Sequence, residues 1–140
     1  MIILGIDPGQ KMKPQQFFIP YVFPSMNKVI DNTKQHWAKY SKKKKLYQEK
    51  VCWVIRAVKL KPMGSVNIEL QWHEKNRRRD PDNIGGFGRK VIIDALVDMG
   101  IIKTDGWAGV GKITEDHQIA KLGYPGVMVT LENGRELKGR

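Results

Sequence analysis

The sequence predicts an α+β domain, a small mixed β-sheet covered by two helices. Three observations carry that expectation. Residues 65–73, SVNIELQWH, alternate between apolar and polar side chains, the pattern of a strand with one buried face. Two longer stretches, 34–59 and 81–100, repeat apolar residues every three or four positions, which is the spacing of a helix face. Short β-branched and aromatic runs near both ends complete a β-α-β-α-β-β order, which suits a sheet with its helices packed over it.

Taken in order, residues 1–14 form an N-terminal extension ending in KMKP, and residues 15–140 form a single domain. QQFFIPYVF (15–23) is a strand by composition, and Pro20 inside it points to a sheet edge or a bulge. PSMNKVIDN is turn and loop. The helix of 34–59 turns Tyr47, Val51, Val54, Ile55 and Val58 to one side, and KPMG (61–64) ends it. After the 65–73 strand comes a helix whose stripe is Val91, Ile92, Ala95, Leu96 and Met99, with Gly100 as its stop. Gly85, Gly86 and Gly88 weaken its first turns by about 1 kcal/mol each, so it starts either at Pro81 or nearer Arg89. IIKTDGWAGVG is a Gly-rich loop. KITEDHQIAKL and GVMVTLEN are two further strands, joined by a turn at GYPG.

Composition narrows the partners. The chain has 140 residues, 25 Lys and Arg against 14 Asp and Glu, and a net charge of +11. Such an excess attracts polyanions, nucleic acid foremost. No apolar run approaches the roughly 20 residues of a membrane-spanning helix, so no membrane partner is expected. Cys52 is the single cysteine, which leaves no disulfide within the chain and suits a cytoplasmic setting. Lys42, Lys43, Lys44 and Lys45 form a basic run near the start of the first helix. There they oppose the helix dipole, so they serve either as a solvated face or as phosphate contacts.

The chemistry concentrates in NRRRDPDN, residues 76–83. Pro81 holds Asp80 in extended geometry and suits the first position of a helix. Asp80 can therefore be a helix cap, Asp82 a first-turn acid, and Arg77, Arg78 and Arg79 their counter-ions. The same residues can also be half of a metal site. Asp105, in the loop after the second helix, supplies a third carboxylate if the following strand returns beside residues 65–73. Clustered carboxylates provide hard oxygen ligands for Mg2+, or equally Mn2+. Beside a polyanion, such a cluster calls for a divalent ion between the negative charges. Metal-assisted phosphodiester hydrolysis uses that pairing, with the arginines on backbone phosphates.

These motifs carry a resemblance. RRRDPDN, a lysine one turn before DAL, and then DGW are similar to the RusA-type Holliday-junction resolvases, phage and prophage members especially, over residues 15–132. IPYVFPSMN resembles that family's first strand and Pro-Ser-x-Asn turn. The resemblance implies a homodimeric, Mg2+-dependent endodeoxyribonuclease that nicks four-way DNA junctions symmetrically, in recombination or repair. It assigns Asp80, Asp82 and Asp105 to the metal, and the catalytic lysine to Lys90, four residues before Asp94. The family pattern has its lysine closer to the asparagine. Here IGGFGR intervenes, so Arg89 shares the candidacy. Thr104 stands where the family often has another acid. Two matched nicks call for two symmetric sites, which a two-fold dimer supplies. Asp94 reads as a polar-face residue, a full turn further on.

Other signals carry less. ILGIDPG (3–9) resembles the first catalytic strand of RuvC-type RNase H-like nucleases, with Asp7 as the key acid. Pro14, Pro20 and Pro24 interrupt the meander that such a fold requires next, and Asp-Pro-Gly is an ordinary turn. A non-catalytic nucleic-acid-binding module is the other alternative. His36, His73 and His117 share no ligand spacing. Of Glu115 and Asp116, alternation sends only one toward the site. Phe87 and Trp107 flank the acids, where aromatic rings can stack on an opened base. Core packing is the expected role of Trp107.

Overall fold

A computed structural model describes residues 12–25, 37–79 and 84–134. Its elements are β1 (Gln15–Ile19), α1 (Trp37–Ala57), β2 (Val66–Glu74), α2 (Gly86–Asp98), β3 (Val110–Ile119), a 3-10 turn (Lys121–Gly123) and β4 (Gly126–Asn133). The four strands form one mixed sheet in the order β1-β4-β2-β3. β4 runs antiparallel to both β1 and β2, whereas β3 runs parallel to β2. The α+β class expected from the sequence is the class observed. No helix among the described residues is long and apolar enough to cross a membrane.

The alternation in β2 does what it predicts. Val66, Ile68, Leu70 and Trp72 are buried. Their register partners on β4 include Leu131, Val129 and Val127, also buried. Both helices lie on this face. Val51 and Ile55 of α1 meet Phe87, Val91, Ile92, Ala95 and Leu96 of α2 above the sheet. The opposite face carries Asn67, Glu69 and Gln71 of β2, with Met128 and Phe18 in register beside Gln71.

β1 is an edge strand, as Pro20 suggests, but it ends at Ile19 rather than running to Phe23. Phe23 is still buried, with its ring edge-on to Trp72 at 6.3 Å. α1 stops at Ala57, so Val58 lies beyond the stripe and is exposed. The stop is a Schellman turn. Leu60 N–H bonds to Ile55 C=O and Lys59 N–H to Arg56 C=O, with Lys59 at φ 57° in the position usually given to glycine. α2 closes the same way around Gly100, at φ 73°: Ile101 N–H bonds to Leu96 C=O and Gly100 N–H to Val97 C=O.

Candidate active site

α2 begins at Gly86 with Gly85 as its N-cap, and no side chain caps it. Of the two starts the sequence allows, the one nearer Arg89 is observed, and the reading of Asp80 as a cap falls on residues outside those described. Asp80, Pro81, Asp82 and Asn83 lie outside the described residues, as do Asp7 and His36. The residues around them fix the frame into which they lead.

Two of the three glycines, Gly85 and Gly88, are seating positions. A β-carbon on Gly88 would stand 2.9 Å from Trp72 and 3.0 Å from Phe23, and one on Gly85 would stand 2.7 Å from a Glu115 carboxylate oxygen. Glycine lets the N-terminal turns of α2 press onto β2 and β3. Arg89 then reaches Glu115 on β3, with Nη2 to Oε2 at 2.9 Å, and Trp72 Nε1–H donates to Glu115 Oε1 at 3.1 Å. Of the adjacent acids on β3, Glu115 is the one beneath the helix, because it pairs in register with the buried Leu70.

One residue further along α2, Lys90 is free of the sheet. Its ammonium lies 3.5 Å from Asp94 and 3.7 Å from Asp105. Asp94 also receives Lys44 of α1 at 2.7 Å. A chain of alternating charge, Lys44–Asp94–Lys90–Asp105, thus links both helices to the loop after α2. Asp94 is a member of this cluster and only 17% exposed. The polar-face residue read from the sequence is thus tied to two lysines. The signal that could have found it is the basic run on α1, which needs a carboxylate on the facing helix.

Asp105 reaches the cluster through a tight turn. Gly109 and Val110 N–H both bond to Gly106 C=O, and Gly109 passes so close to the Thr104 carbonyl that no side chain fits. The turn delivers the chain to β3, parallel to β2, which is the return expected from the sequence. Trp107 sits on its crest, 84% exposed. The expectation that Trp107 packs into the core is wrong: Ile101 and Ile102 supply the buried residues of this loop.

An open cleft of about 360 Å3 runs past Tyr40, Phe87, Lys90, Asp94 and Asp105. A second groove, about 560 Å3, continues between the helices past Lys44, Lys45 and Lys90, with Glu49 and Asp98 also in its lining. Four consecutive lysines on a helix cannot share one face. Lys44 and Lys45 line the groove, whereas Lys42 is exposed and Lys43 partly so. The three arginines also divide. Arg79 is engaged within the fold: its Nε and Nη2 donate to Glu74 at 2.9 Å each, and its Nη1 to the Phe23 carbonyl at 2.7 Å. Arg77 and Arg78 remain exposed.

The cluster's oxygens differ in availability. Asp94 is bracketed by two ammonium groups. Asp105 is 55% exposed, and its link to Lys90 is near the outer limit of an ion pair. Its carboxylate therefore suits a hard cation approached from solvent. His73 packs edge-on to Phe18 and meets Gln118 at 3.3 Å, so it stays outside this chemistry. No protein-family model and no curated protein matches the chain, so the residues and their geometry carry the functional reading.

Proposed function

We propose that this chain is a Mg2+-dependent, structure-selective endodeoxyribonuclease that acts as a homodimer on branched DNA, four-way junctions foremost. The observation that carries the proposal is the placement of Lys90 between two carboxylates, one of them Asp105, at a cleft continuous with a groove that Lys44 and Lys45 line alongside Glu49 and Asp98. An ammonium loosely held at a cleft mouth is placed to stabilise charge developing on a phosphate oxygen. Arg89, tied to Glu115, is less able to turn toward substrate, which favours Lys90 as the catalytic cation.

Asp80, Asp82 and Asp105 would hold Mg2+, which supplies an activated water and Lewis-acid stabilisation of the phosphate. Asp94 orients Lys90 from the following turn of α2 and takes Lys44 as a second partner. Lys42, Lys43, Lys44, Lys45, Arg77 and Arg78 contribute phosphate contacts along the groove and its flanks. Arg79 acts through the fold by fixing the end of β2 ahead of Asp80. Trp107, exposed two residues beyond Asp105, offers a ring on which an unpaired base can stack.

A second reading, a non-catalytic nucleic-acid-binding module, draws on Arg79, since its fork serves structure alone. One experiment separates the two: a labelled four-way junction incubated with and without Mg2+, using wild type, Asp82→Asn and a chain lacking residues 1–11. The nuclease reading expects Mg2+-dependent nicking by wild type and the shortened chain, and binding without nicking by Asp82→Asn. Cutting by Asp82→Asn would overturn the site. Binding without any cutting would establish the module instead. Loss of cutting only in the shortened chain would return attention to Asp7.

A further inference from the structure

We propose that β3 is a self-association edge: two copies of the chain pair antiparallel through β3 about a two-fold axis at Thr114, joining their sheets into one. The inference gives an interface to the homodimer proposed above and does not depend on the nuclease chemistry.

Among the described residues, the two edges of the sheet differ. β1 has five residues and stops at Pro20, whereas β3 has ten residues and no proline. Exposed strand edges are usually blunted by shortness, proline or charge. β3 lacks the first two, and its charges are self-complementary.

Backbone direction along β3 follows from two hydrogen bonds. Ala120 N–H bonds to Glu74 C=O of β2. Residues of even number therefore turn their backbone groups toward β2, and Ile113, Glu115 and His117 turn theirs outward. The outward His117 N–H is met by its neighbour's side chain, Asp116 Oδ1, at 3.0 Å. A local carboxylate thus stands in where a partner strand would bond.

With the axis at Thr114, Ile113 and Glu115 of the second copy exchange backbone hydrogen bonds, and their symmetry mates do the same. Lys112 then faces Asp116 of the second copy, twice, and Thr114 faces its own mate. These are the non-hydrogen-bonded positions, where cross-strand side chains come closest. All three side chains lie on the open face of the sheet, in register with Asn67, Glu69 and Gln71. Ile113, 39% exposed, gains its own mate as a diagonal neighbour. Neighbouring registers lose these two ion pairs. An axis at Glu115 or Asp116 sets that acid against itself, and one at Ile113 leaves Lys112 facing threonine.

Sedimentation equilibrium of the full chain tests the interface. Wild type should sediment as a dimer. Lys112→Asp and Asp116→Lys each turn two attractive pairs into repulsive ones, and each should weaken self-association by about 10- to 500-fold. An equimolar mixture of the two variants restores opposite charge at every facing pair, so it should yield a 1:1 heterodimer. Both substitutions are at exposed positions, and unchanged circular dichroism controls for folding. A monomeric wild type would overturn the proposal and the dimer with it. Variants that dimerise like wild type would overturn the β3 interface alone, as would a mixture that stays monomeric.

Discussion

Replacing Gly88 with alanine sets two effects of known size against each other. In an open helix the change stabilises by about 1 kcal/mol, the cost of glycine relative to alanine. At position 88 the added carbon would stand 2.9 Å from Cη2 of Trp72 and 3.0 Å from Cγ and Cδ2 of Phe23. Both rings are 2% exposed, and Trp72 is tethered to Glu115 through its indole N–H. Neither ring can swing into solvent, so the helix must lift or the rings must leave their rotamers. Overpacking of this kind costs roughly 1–3 kcal/mol. The net expectation is a loss of about 0–2 kcal/mol despite the better helix former. Urea unfolding measures it as a lower midpoint at unchanged slope. Lifting α2 would also draw Lys90 from Asp105, so nicking should fall by more than stability alone explains. A Gly88→Ala protein more stable than wild type would refute the close seating of α2.

Three further outcomes follow from contacts described above. Arg79→Ala removes a two-pronged bond to a Glu74 side chain only 13% exposed and should cost about 2 kcal/mol in urea unfolding, whereas Arg77→Ala should leave stability within about 0.5 kcal/mol and lower the salt dependence of DNA binding. Lys59→Gly relieves a left-handed residue at the end of α1 and should stabilise by about 1 kcal/mol in thermal unfolding; a destabilised variant would contradict the Schellman turn. Burial, and next the Asp98 carboxylate, hold the Cys52 thiol above its ordinary value of 9.0, so its alkylation by iodoacetamide should rise at a higher pH than that of a free thiol. Because the folded value is the raised one, Cys52 contributes stability below the ordinary thiol range that is lost as pH climbs through it.

The sheet was legible because its signal is local. Alternation in β2 and the β-branched run of β4 need only neighbours two residues apart, and Gly100 marks a helix end by its own backbone freedom. The site was legible in part. Asp105 and Lys90 come together as the order of elements requires, because a parallel β3 brings the loop after α2 back alongside that helix. What the sequence hid depends on partners far along the chain. Arg79 reads as one of three equivalent arginines until the Phe23 carbonyl and Glu74 claim it. Asp94 reads as a surface residue until Lys44 arrives from the other helix. Gly85 and Gly88 read as helix weakeners because their purpose, contact with β2 and β3, has no local trace. Trp107 misleads for the opposite reason: a large apolar side chain predicts burial, and the tight turn around Gly109 holds it outside.

Placing both helices on one face of the sheet has a geometric consequence for a dimer joined at β3. A two-fold axis perpendicular to the joined sheet does not turn it over. Both helical layers remain on the same side, and so do both clefts. Arg89 bonded to Glu115 keeps the start of α2 above the edge strand, so the clefts are neighbours across the axis. They share a single face with two openings related by rotation, which matches a flat substrate whose own halves are related in the same way.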